Sequence, residues 1–159
     1  MSVTKTIPWF ALAVAIVIAD RVTKLLVLES FAPGERLSVT GFFNLVLVFN
    51  KGAAFSFRAG AAGWQTPVFA AISGIAAVVI AVLILRNSGN RVLCAALALI
   101  LGGAIGNLWD RLLWGHVVDF LDFHAAGWHW PAFNVADSGI SVGAVLLILE
   151  SFVRRDRGG

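Results

Sequence analysis

Charge is what this chain has least of. Of 159 residues, 13% are charged and 59% are hydrophobic, and the mean hydropathy is +0.88. Soluble domains carry roughly 25% charged residues, so a water-solvated fold is a poor reading. Cysteine is scarce too. Cys94 stands alone inside an apolar run, which excludes an intrachain disulfide and makes it a small buried hydrophobe. The net charge of +3 comes without a basic cluster interleaved with exposed aromatics, so no nucleic-acid partner is expected. No lipidation motif and no internal repeat stand out. No serine–histidine pair sits in a nucleophile elbow. His116, His124 and His129 lie near Asp122, but their spacing fits no compact zinc motif, so no metal and no cofactor is expected.

What the chain has is long apolar runs. A bilayer core takes about 20 apolar residues per helix, and runs of that order cover 7–28, 64–85, 92–110 and 137–153. Ala13-Val14-Ala15 resembles a signal-peptide cleavage site, yet apolar residues continue to Ala19 and resume after Lys24, which suits a retained span. Asp20 and Lys24 interrupt that span four residues apart on one face, in the favourable order for an ion pair. They read as an orienting pair near the outer interface.

Between the first two spans, residues 30–63 change character. Phe42–Phe49 is aromatic and β-branched and too short to span, so it reads as a strand. Asn50-Lys51-Gly52 is a turn, with Ala53–Phe57 as a returning strand. Residues 111–136 form an interfacial loop. The expected fold is therefore mainly α: one integral-membrane domain over 1–159, with four transmembrane helices and a small extracytoplasmic β-hairpin between the first two. Gly102, Gly103 and Gly106 on the third span allow close helix packing. Trp109, Trp114, Trp128 and Trp130 fall near the expected interfaces, as an aromatic belt would.

Six of the twelve basic residues (Lys5, Arg86, Arg91, Arg154, Arg155 and Arg157) sit at the two termini and in the turn between the second and third spans. The positive-inside rule then places both termini in the cytoplasm. Counting about 20 residues at 1.5 Å from Arg91 reaches the outer boundary near Arg111, and counting back from Arg154 brings Asp137 to the same level. Asp119 follows Arg111 closely enough to fold back.

Four carboxylates thus gather at one interface: Asp110, Asp119, Asp122 and Asp137. Two carboxylates held close cannot both ionise, so one activates water while the other, protonated, polarises a carbonyl. That is aspartyl-type peptide hydrolysis, although pattern alone does not choose the pair. The rival reading is a small proton-coupled transporter, in which intramembrane acids relay protons. Against it, the acids collect at one interface.

Five blocks carry a family resemblance: Asp20–Lys24, Phe49–Ser56, Gly102–Arg111, Gly115–Phe120 and Phe133–Ser138. In this order they resemble the bacterial lipoprotein signal peptidases, the type II signal peptidases, over nearly the whole chain. The resemblance implies that Asp119 and Asp137 are the catalytic dyad. It implies that Asn50, Gly103, Asn107, Arg111 and Asn134 line the substrate pocket, and that Asp20, Lys24 and Asp110 support the site. Asp122 receives no role and reads as solvated. The implied reaction removes the signal peptide of a prolipoprotein before a diacylglyceryl-modified cysteine. The implied setting is the bacterial cytoplasmic (inner) membrane, crossed several times, with the site at the extracytoplasmic interface. The partners are the lipidated precursor and membrane lipids, with the chain expected to be monomeric. The hairpin and the Trp128–Trp130 segment are candidate clamps, the latter a possible lid.

Overall fold

The computed structural model describes residues 5–52 and 65–156. The element order is α1 (Ile7–Ser30), β1 (Arg36–Thr40), β2 (Phe43–Asn50), α2 (Gln65–Arg86), α3 (Arg91–Trp114), β3 (Val117–Ala125), β4 (Trp128–His129) and α4 (Val135–Asp156). Trp64 and the returning strand expected at Ala53–Phe57 lie outside the described residues.

Local chemistry sets the helix ends. A proline opens α1, where its missing N–H costs nothing. Asn90 caps α3 by accepting from the Leu93 N–H at 3.1 Å. At the other end Gly115 takes φ +71, the left-handed conformation that glycine enters without strain, and closes the helix on the Arg111 carbonyl.

The third helix is the centre of the bundle and packs against α1, α2 and α4. Its glycines permit this. A Cβ on Gly102 would lie 2.6 Å from the Ala13 carbonyl oxygen of α1, and one on Gly103 would collide with the Ala136 carbonyl oxygen of α4. The burial pattern is inverted relative to a soluble bundle. Over their most apolar stretches 56% of α3 is buried but only 6% of α2, whose Ile72, Ile75 and Val78 point outward. Only a lipid surround solvates such a face without penalty. By length and composition α2, α3 and the stretch Val135–Val153 of α4 can each cross a membrane. The 24-residue α1 presents Val14, Ile18 and Leu26 outward and turns Asp20 and Lys24 fully inward.

Four antiparallel strands form one sheet in the order β1-β2-β3-β4. The small antiparallel sheet expected is present, and it extends beyond the segment expected to form it. Among the described residues, the hairpin partner of β2 is the upstream β1. The sheet is not confined to the segment between the first two helices, because β3 and β4 come from between α3 and α4. The supposed interfacial loop 111–136 begins as the last turn of α3 and continues as these two strands. Ala126 (φ +49) and Gly127 (φ +82) make the two-residue turn between them. A bulge interrupts the β2–β3 ladder between the pairs Leu45–Leu121 and Val48–Asp119, with one extra residue on β2.

Two apolar clusters bracket a polar layer. One gathers Ala13, Ile84, Cys94, Leu97, Ala98 and Leu101 within the bundle. The other gathers Val27, Leu47, Val118 and Phe120, joining α1 to the sheet. Along α1 and α3 the buried charges and amides fall between them.

Candidate active site

The polar layer begins with Lys24, which is fully buried. Its ammonium has three N–H donors and three partners: Asp20 Oδ2 at 2.7 Å, Asp110 Oδ2 at 2.7 Å and Asn107 Oδ1 at 3.1 Å. This cation is saturated. The pair expected near the outer interface is therefore a buried hub shared with α3, and Asp110 is part of it. Because a donor-only group faces Asn107 Oδ1, the amide nitrogen of Asn107 must point the other way. It donates to Asp137 Oδ1 at 2.7 Å.

The start of α4 is held from two sides. Asn134 precedes its first residue and accepts from the Asp137 N–H at 2.9 Å, an N-cap bond. Asp20 reaches across from α1 to accept from the Ala136 N–H at 2.9 Å. Two of the helix's orphan donors are thereby satisfied by side chains. Asp137 consequently occupies the first turn of α4, where the partial positive charge of the helix terminus favours an anion.

Asp119, on β3, is 2% exposed. Its Oδ1 accepts from Asn134 Nδ2 at 2.7 Å and its Oδ2 from Asn50 Nδ2 at 2.9 Å. Burial pushes its carboxyl up to about 7; the Asn50 bond opposes this, the charge of Asp137 adds to it, and Asn134 and Lys24 oppose it. The Asn134 amide also approaches Asn107 Oδ1 at 3.3 Å. A continuous path Asp119–Asn134–Asn107–Asp137 therefore links the two acids.

Of the other expected residues, Asn50 also accepts from the Gly52 N–H at 2.8 Å, so it shapes its turn as well as meeting Asp119. Arg111 bonds the Asn107 carbonyl at 3.3 Å and lies 5.6 Å from the ring centre of Phe69. Gly103 lies in the α3–α4 contact.

Asp122 corrects the sequence reading. It is 4% exposed rather than solvated. It accepts from Asn44 at 2.8 Å and meets His129 Nδ1 at 2.8 Å, with Arg36 at 3.7 Å. Burial raises its carboxyl, but the bonds from Asn44 and His129 and the nearby charges outweigh it, and the group lies below the usual range. One side chain from each strand meets here. His124 and His129 stack with ring centres 4.9 Å apart. No local signal marks this cluster, because its members meet only through strand pairing.

Two carboxylates joined by such a path, one protonated and one ionised, are the groups that acid–base hydrolysis without a covalent intermediate requires. A family model described as signal peptidase (SPase) II matches residues 12–153. A protein named lipoprotein signal peptidase from Paraburkholderia phytofirmans is 56% identical over 151 residues, covering 95% of this chain and 87% of the relative. Another so named, from Ralstonia nicotianae, is 57% identical over 147 residues, covering 92% and 85%. Among solved structures, one titled as a bacterial membrane enzyme superposes with a TM-score of 0.84 at 30% identity, covering 96% of this chain and 92% of the other.

Proposed function

The chain belongs to the signal peptidase II family, and from that premise we propose that it hydrolyses the bond preceding a diacylglyceryl-modified cysteine in prolipoproteins, using Asp119 and Asp137. The observation carrying this reading is the asparagine path that ties a carboxyl pushed up to about 7 to a second carboxylate at a helix N-terminus.

In this mechanism Asp137 is the ionised partner and takes a proton from water as that water attacks the scissile carbonyl. Asp119 enters protonated and passes its proton to the carbonyl oxygen, giving a neutral gem-diol. Collapse returns a proton to Asp119 and delivers the other, from Asp137, to the departing amine. Both carboxylates end as they began. Asn107 and Asn134 hold the pair in register throughout. Asn50 and Arg111 are the side chains left to engage the substrate backbone, while Gly103 contributes by letting α4 approach α3. Asp20, Lys24 and Asp110 support the dyad from behind.

The placement follows from the charges. With the basic termini and the 86–91 turn in the cytoplasm, the four helices, α1 included, cross the inner membrane and the polar layer lies at its outer face. A lipidated precursor, soluble in the bilayer through its signal helix and acyl chains, then reaches the dyad laterally. The test is cleavage of a diacylglyceryl-modified precursor peptide by the purified protein in detergent. A single cut before the modified cysteine, with none in an unlipidated peptide, supports the reading; equal cleavage of both sinks the substrate assignment.

A further inference from the structure

The lipid-facing side of α3 has features that the dyad does not use. Ile105, Leu108, Trp109, Leu112 and Leu113 recur at three- and four-residue spacing, so they share one helix face, opposite the face bearing Asn107 and Asp110. They line an apolar groove of about 250 Å³. A second groove of about 220 Å³ lies between α1 and α3, lined by Val17, Ile18, Asp20, Arg21, Gly106 and Trp109. Trp109 belongs to both and is the ridge between them.

Arg21 stands at the second groove. Its guanidinium carbon lies 4.2 Å from the ring centre of Trp114, which holds the flat face of the group. Among the described residues its one hydrogen bond is a long one, 3.3 Å to Asp110 Oδ1. Asp110 and Asp20 are already met by Lys24, so Arg21 keeps most of its five donors, and its side chain is 26% exposed. A cation preordered by stacking, with an open edge beside two apolar grooves, matches a planar-fork contact to phosphate. The depth agrees. Arg21 is 14 residues beyond Ile7, a rise of roughly 21 Å, in the outer part of a bilayer entered from the cytoplasm.

We propose that this face binds one phospholipid, its phosphodiester on Arg21 and its two acyl chains in the grooves on either side of Trp109. The site is distinct from the dyad and rests on the membrane placement alone. Negative charge on the ligand complements the guanidinium, and the apolar grooves continue the bilayer-facing surface of α3.

The experiment is native mass spectrometry of the full chain in detergent, titrated with phosphatidylglycerol or with diacylglycerol of the same chains. Wild-type protein should retain one phosphatidylglycerol, and Arg21→Gln should weaken that binding about tenfold, the size expected for losing a charged hydrogen bond, while leaving diacylglycerol unchanged. Ile18→Trp fills the α1–α3 groove while leaving Arg21 and the buried acids unsubstituted, and should displace the phospholipid even if Arg21→Gln does not fold. Equal phosphatidylglycerol binding by Arg21→Gln, equal binding of diacylglycerol by wild type, or full retention by Ile18→Trp would each overturn the proposal.

Discussion

The side-chain amide of Asn134 lies 3.3 Å from Asn107 Oδ1, and this contact closes the gap between two acids that sit 18 residues apart, on a strand and a helix. Each asparagine also holds one acid, Asp119 through Asn134 and Asp137 through Asn107, both at 2.7 Å.

Asp119→Asn and Asp137→Asn should each abolish cleavage of a lipidated precursor, a loss of 10³-fold or more by analogy with removal of other catalytic groups. Both substitutions keep size and polarity, so the protein should still insert and melt cooperatively. Turnover within tenfold of wild type in either variant would end the dyad assignment.

Cleavage should fall as pH rises through about 7, because the mechanism needs Asp119 protonated. The sign follows from the elevated pKa. The folded state holds this proton above the ordinary value of 3.8, so between that value and about 7 rising pH also removes stability contributed by the neutral carboxyl. Asn50 opposes the elevation, so Asn50→Ala should move the alkaline limb to higher pH. A pH–rate profile of kcat for both proteins measures this, and an unmoved limb contradicts it.

Lys24→Ala should cost about 3–5 kcal/mol of stability, since it leaves Asp20 and Asp110 buried without their cation. Thermal melting in detergent reads the loss directly. Lost turnover with unchanged melting would instead place Lys24 in the chemistry.

Asp122→Ala should lower the melting temperature at neutral pH by releasing Arg36, Asn44 and His129 from the carboxylate that joins the four strands. A carboxylate held below its usual range contributes stability above that range and loses it as pH falls. The gap between variant and wild type should therefore shrink as pH drops below about 4. A gap constant with pH would show that packing, not ionisation, is responsible.

Much of the helical frame was legible because its signal is redundant. Span 92–110 survives an error of several residues, and α3 in fact runs on to Trp114. The strand β3 was not legible. Its Val117, Val118, Phe120 and Leu121 suit a strand, but Asp119 and Asp122 are residues that strands usually avoid, and nothing local shows that partners on β2 await them. The same holds for Asp122 itself, whose burial depends on three other strands.

By itself the sequence determined a multi-pass membrane protein with few charges, and its block pattern pointed to the family. Apolar length and charge placement are local quantities, so no fold is needed to count them. Tertiary structure alone decided which groups meet: that Lys24 is a saturated hub, that Asp20 caps a helix from across the bundle, and that Asp122 is locked in a sheet. Each depends on contacts between distant segments. In a low-dielectric interior, a charge at such a contact is tolerable only when its partners arrive from elsewhere in the chain.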